Sequence, residues 1–128
     1  MTMPAGSTIS VLIADDDPLV RRVLRLALQS QGYRVVEAAD MRGVLEHARE
    51  HPDLVVLDVN MPGGTLSETL GGLRQERADV PILVLSGESV APDDLPVDHA
   101  DFARKPIELD DLLSRVRRLL HPAASLLP

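Results

Sequence analysis

Residues 11–18 read Val-Leu-Ile-Ala-Asp-Asp-Asp-Pro. Four apolar residues in a row, without the in-and-out alternation of a strand wet on one side, predict a strand covered on both faces. Strands of that kind are parallel, and parallel neighbours need crossover connections, usually helices. The next residues supply one. Asp17 can cap a helix, Pro18 suits its first position, and Val20, Val23, Leu24, Ala27 and Leu28 recur at helical spacing until Gly32 stops it.

The same grammar repeats outward from that stretch. Leu54-Val55-Val56-Leu57 and Ile82-Leu83-Val84-Leu85 are two more continuous apolar strands, with weaker ones at Tyr33 to Ala38 and Phe102 to Arg104. Asp40 can cap a second helix through Val44, Leu45 and Ala48 that ends before Pro52. Leu66, Leu70 and Leu73 predict a third, weakened by Gly71-Gly72. The last helix, from about Glu108, carries Leu109, Leu112, Leu113, Val116, Leu119 and Leu120 on one stripe that seals the sheet, with Arg115, Arg117 and Arg118 in the closing turns, where cations suit the macrodipole. Strand then helix, five times at about 20 to 25 residues per unit, predicts an α/β domain built on a parallel sheet. We expect the folded domain over residues 8–120, with tails at 1–7 and 121–128, the second a tail or the start of a linker.

Composition narrows the function. The chain has 128 residues, 45% hydrophobic and 26% charged, the balance of one soluble globular domain. With no apolar run of membrane-spanning length and no signal-like start, it is expected in the cytoplasm and away from membranes. Zero cysteines exclude disulfides, thiolate metal sites and Cys nucleophiles, and a net charge of -7 argues against direct nucleic-acid binding. The 13 basic residues are twelve Arg and one Lys, Lys105. A single ammonium in an arginine-rich chain points to a place where a compact point charge is needed.

In open parallel sheets, ligands bind beyond the carboxyl ends of the strands. The first strand runs into Asp15-Asp16-Asp17, the third ends in Asp58, the fourth in Ser86, and the fifth leads to Lys105. One edge therefore gathers acids, a hydroxyl and the only ammonium, with Asp17 read as a cap. Clustered carboxylates repel one another and pay for partial burial, so the edge requires cations. Lys105 supplies one charge. A hard divalent ion that retains water supplies the rest, which suits Mg²⁺ better than zinc.

The stretches Val11 to Pro18 (VLIADDDP), Asp53 to Gly63 (DLVVLDVNMPG), Val84 to Gly87 (VLSG) and Lys105-Pro106 resemble, in order, the receiver domain of two-component response regulators. The resemblance implies a flavodoxin-like, doubly wound five-stranded parallel sheet of order 2-1-3-4-5 with helices on both faces. It implies that Asp58 accepts a phosphoryl group from a histidine kinase or phosphotransfer protein. Asp16 and Asp58 would give carboxylate oxygens to Mg²⁺, Asn60 its backbone carbonyl, and Asp15 would act through a metal-bound water. Ser86 would hydrogen-bond the phosphoryl group, Lys105 would pair with Asp58 and then with a phosphoryl oxygen, and Ser86 and Phe102 would form the switch. Phe102 also reads as an ordinary core aromatic. Asn60 and Glu88 would tune the lifetime of the phosphoaspartate. Pro92 and Pro96 fall where the fourth helix of such domains stands, so that helix is expected short or absent, and Gly64-Thr65-Leu66 leaves the loop before the third helix open.

The leading expectation is a phosphorelay receiver that is phosphorylated on itself, loses the group slowly and signals to an unknown downstream protein. Two alternatives stand beside it: an Mg²⁺-dependent phosphohydrolase using Asp58, and a receiver-like adaptor that works without phosphorylation. Asn60, two residues beyond Asp58, cannot take a proton, which disfavours the phosphohydrolase. His47-Ala48-Arg49-Glu50-His51 matches a zinc-hydrolase pattern, but Pro52 ends its helix at once, so a solvated helix end is the expected reading. His99 and His121 fall in loop and tail contexts.

Overall fold

The structure, a computed structural model, describes residues 8–87 and 100–121. Five parallel strands, β1 (Ser10–Ala14), β2 (Arg34–Ala38), β3 (Leu54–Asp58), β4 (Ile82–Ser86) and β5 (Ala100–Arg104), form one sheet in the order β2-β1-β3-β4-β5. Helices α1 (Pro18–Gln29), α2 (Met41–Ala48), α3 (Leu66–Glu76) and α4 (Leu109–Leu120) cover it. The helix expected between the fourth and fifth strands falls on residues 88–99, outside the described residues, as do Glu88, Pro92, Pro96, His99 and both tails beyond His121 and before Thr8. No helix among the described residues is long and apolar enough to cross a membrane.

Strand periodicity sorts the core into two layers. Leu12, Ala14, Val55, Leu57 and Val84 point to α2 and α3, packing with Val44, Ala48, Leu70 and Leu73. Val11, Ile13, Leu54, Val56, Leu83 and Leu85 point to α1 and α4, packing with Leu24, Leu28, Leu112 and Val116. The central strands are therefore buried on both faces, as their continuous apolar runs predict.

Several boundaries differ from the expectation for local reasons. β2 begins at Arg34 because the Tyr33 N–H turns back to the Leu28 carbonyl, while Arg34 N–H opens the ladder on Ile9 O at 2.8 Å. β5 starts two residues earlier than expected, paired with β4 from Ala100 onward. Gly32 stops α1 with φ +87, a conformation that costs glycine little. Helix α2 ends at Ala48, and His51 lies outside it at φ 56, so His47 and His51 do not share a helical face and the zinc pattern dissolves. Arg115, expected to complement the dipole, lies short of the last turn, and its guanidinium instead bonds Asp101, Asp111 and the Phe102 carbonyl, tying α4 to β5.

Helix α3 is not disrupted by its glycines. Thr65 and Glu68 form a capping box, each side chain bonding the other's backbone N–H at 3.0–3.1 Å. Gly72 admits the close approach of α2, since a Cβ there would sit 2.5 Å from Leu45 Cδ2. Gly71 faces open space. Gly71→Ala is therefore expected to stabilise the fold by about 0.5–1 kcal/mol, read as a higher denaturation midpoint at unchanged slope. Gly72→Ala must displace Leu45 and should give less or nothing.

The stripe on α4 seals the sheet only in part. Leu109, at the first turn, is 43% exposed, and Val23 on α1, expected on the buried face, is 50% exposed. Together with Leu19 and Ile107 they line an apolar groove of about 430 Å³ that reaches Lys105. Leu24, also in the lining, is buried with Leu28, Leu112 and Val116 against the sheet, whereas Leu19, Val23 and Leu109 stay exposed at the groove.

Candidate functional site

Every strand-end residue singled out lies at the carboxyl edge of the sheet. Asp15 follows β1, Asp58 closes β3, Ser86 closes β4 and Lys105 follows β5. The register brings them level: Asp58 pairs with Leu85, the residue before Ser86, and Ser86 pairs with Arg104, the residue before Lys105. The Lys105 N–H donates to the Ser86 carbonyl at 2.6 Å, which carries the ladder one step past the strand and turns Lys105 over the edge. The Lys105–Pro106 peptide is cis.

Asp15, Asp16 and Asp58 each place a carboxylate oxygen within 4.8 Å of the others. Asp15 and Asp58 are 1% and 4% exposed, whereas Asp16 and Asn60 face solvent. Lys105 Nζ lies 2.8 Å from Asp15 Oδ2 and 3.2 Å from Asp58 Oδ1. The resemblance led us to expect Asp58 as its partner; the shorter contact is to Asp15, which also accepts the Asp17 N–H at 2.9 Å. Asp17 caps α1 through the Leu19 N–H, as its place before Pro18 predicts. Asn60 supplies a backbone hydrogen bond to Asp58. Ser86 is buried at the strand end, and Phe102 is partly buried against the layer formed with α2 and α3.

Electrostatics make the edge cation-seeking. Burial, and then the charge of Asp15, push the Asp58 carboxyl above the ordinary aspartate range despite the opposing pull of Lys105 and the Asn60 N–H. Burial would lower the Lys105 ammonium, yet its bonds to Asp15 and Asp58 outweigh that and raise it. One ammonium thus faces three carboxylates. Oxygen-only ligands, two of them buried and one open to water, suit a hard divalent cation that keeps part of its hydration. The set of residues fits Mg²⁺.

A raised native pKa on an acid means that the native state holds the proton more tightly than the unfolded chain. Stability from Asp58 is then greatest at low pH and is lost as pH rises from 3.8 through the native value. For Lys105, raised above 10.5, the contribution is present at neutral pH and lost only above that value. Without divalent cations, Asp58→Asn is expected to melt above wild type at neutral pH, and the gap should shrink as pH falls toward 3.8. A gap that stays constant across that range would show that Asp58 is not held in a proton-seeking environment.

Sequence reasoning missed Arg21. Its Nη1 donates to the Asp15 carbonyl at 2.6 Å, and its Nε pairs with Glu37 Oε1 at 3.3 Å. A basic residue in the opening turns of α1, where the dipole favours acids, was the available signal.

A family model of the response regulator receiver domain matches residues 11–117. Similar proteins include the KDP operon transcriptional regulatory protein KdpE of Escherichia coli, 41% identical over 112 residues, which are 84% of this chain and 49% of that protein. The response regulator MprA of Mycobacterium leprae is 43% identical over 116 residues, 86% of this chain and 50% of that protein. The chain spans about half the length of these curated relatives. Among solved structures, the response regulator TrrA of Thermotoga maritima in complex with Mg²⁺-BeF is 32% identical, with a TM-score of 0.78 over 88% of this chain and 100% of that one. With its strand order, its acidic edge and a family match covering most of its length, the chain belongs to the receiver domains of two-component response regulators.

Proposed function

We propose that this domain accepts a phosphoryl group on Asp58 from a phosphohistidine of a histidine kinase or phosphotransfer protein, and that the phosphorylated edge signals to a downstream protein. The observation that carries the reading is a buried carboxylate, Asp58, held beside two further carboxylates and 3.2 Å from the only lysine of the chain. In the transfer, an Asp58 carboxylate oxygen forms the bond to phosphorus as the bond from phosphorus to the donor nitrogen breaks. The reaction needs positioning and charge neutralisation more than covalent assistance. The complex of TrrA with Mg²⁺-BeF supports a role for Mg²⁺ in this family.

Asp16 and Asp58 would hold Mg²⁺ through their carboxylates, Asn60 through its carbonyl, and Asp15 through an intervening water. When bound, the ion supplies positive charge that offsets the three carboxylates and the incoming phosphoryl oxygens. Lys105 holds Asp58 in place before transfer and afterwards can pair with a phosphoryl oxygen, while Asp15 keeps the other side of the ammonium. The Ser86 hydroxyl would donate a hydrogen bond to the same group. Asn60, lacking a titratable proton, leaves the acyl phosphate without a general base at that position, so the product persists. A phosphoryl group adds about -1.5 to -2 charge at the edge, and Ser86 and Phe102 would convert it into a shift between two populated conformations, Phe102 through its place on β5 beside β4. We further propose that the folded unit spans residues 8–120, that the protein acts in the cytoplasm, and that it contacts neither nucleic acid nor membrane directly.

Turnover discriminates this reading from the phosphohydrolase alternative. With acetyl phosphate and Mg²⁺ the chain should reach about one phosphoryl group per molecule and then lose it slowly. Sustained phosphate release from several phosphoesters would replace the receiver with an enzyme, and no uptake at all would leave a phosphorylation-independent adaptor.

A further inference from the structure

We infer that Arg21 is a positioning residue for the metal-binding acid pair, acting through the peptide that joins Asp15 to Asp16. The inference rests on the receiver reading of Asp16 as a metal ligand and concerns how that ligand is aimed.

Every polar group of Asp15 is engaged. Its N–H bonds the Ala38 carbonyl at the end of β2 at 3.1 Å, and its carboxylate takes the Asp17 N–H and Lys105 Nζ. Its carbonyl takes Arg21 Nη1 at 2.6 Å. That carbonyl and the N–H of Asp16 lie in one rigid peptide plane, so fixing the oxygen fixes the direction in which the Asp16 backbone leaves it. Asp16 is exposed, with no side-chain hydrogen bond among the described residues. The peptide plane on one side, and the Asp17 N–H bond to Asp15 on the other, thus fix the backbone from which the Asp16 carboxylate projects.

Arg21 is itself held in place. Glu37 on β2 accepts Arg21 Nε at 3.3 Å through one oxygen and Arg25 Nη1 at 2.8 Å through the other. The Arg21 side chain is only 18% exposed, and partial burial strengthens a charge-assisted bond of this length. The placement also has a cost, since a cation in the opening turns of α1 opposes the helix dipole. Arg25 makes the same Glu37 contact one turn on and bonds nothing at Asp15, which provides an internal control.

The test is calorimetric titration of Mg²⁺ into the unphosphorylated chain. Groups one step outside a metal's ligands typically govern affinity by about 10- to 100-fold. Arg21→Ala should weaken Mg²⁺ binding by about tenfold, while Arg25→Ala, which also breaks a Glu37 pair, should stay within about twofold of wild type. Equal weakening in both variants would reduce Arg21 to a structural pair, and tighter binding in Arg21→Ala would show that its charge merely repels the ion. Either outcome overturns the inference. Should Arg21→Ala be too unstable to titrate, Arg21→Met keeps the packed stem and removes only the donors, and the same tenfold criterion applies. A wild-type chain that takes up no Mg²⁺ would instead overturn the receiver reading, and this inference with it.

Discussion

Asp58→Asn is expected to take up no phosphoryl group from acetyl phosphate and Mg²⁺, whereas the wild-type chain should gain the mass of one. The amide matches the carboxylate in shape but lacks the anionic oxygen that the proposed transfer requires to attack phosphorus. The neighbouring acids do not substitute for it. Asp15 is committed to the Asp17 N–H and to Lys105, and Asp16 stands exposed, outside the ion pairs that Lys105 makes with Asp15 and Asp58. Loss of labelling should come without loss of fold, because the site around Asp58 already favours a neutral group. Intact-mass measurement reads the uptake, and the melting curve reads the fold. Labelling of the variant at the wild-type level would move the acceptor to another residue.

Lys105→Arg retains the charge and is expected to slow labelling by about tenfold, less than the ~100- to 1000-fold loss from removing a well-placed donor outright, because the charge remains. Lys105 Nζ bridges two buried carboxylates at 2.8 and 3.2 Å, a seat for one compact nitrogen with donors in several directions. A guanidinium is planar and wider, so its fork can engage one carboxylate squarely only by leaving the other or by displacing the edge. The initial rate of mass gain checks this, with Mg²⁺ saturating so that metal affinity does not mask the effect. A wild-type rate would show that a positive charge of any shape suffices.

Much of the site was legible because its residues occupy strand ends. Once residues 11–18, 54–58, 82–86 and 102–105 are read as strands running into polar groups, a parallel sheet carries Asp15, Asp58, Ser86 and Lys105 to one edge. The primary partner of Lys105 was not legible. Asp15 and Asp58 are alike in sequence, and only the turn of Lys105 over the Ser86 carbonyl sets the 2.8 Å contact to Asp15. Arg21 escaped for a related reason: in α1 it is one of three arginines, and its bond to Asp15 depends on the angle at which the helix leaves β1. The capping box of Thr65 and Glu68 was also passed over, although its pattern is local and the structure forms it at the start of α3.

By itself, the order of residues determined the alternation of buried strands and amphipathic helices, because continuous apolar runs and caps act over a few positions. It also determined which residue types meet at the sheet edge, since parallel pairing makes strand ends coincide. The tertiary structure alone decided which carboxylate the ammonium grips, that Gly72 makes room for Leu45, and that Leu109 and Val23 line an open groove instead of the core. Those outcomes depend on contacts between segments far apart in the chain, where an ångström of displacement changes the partner, and no local pattern encodes such distances.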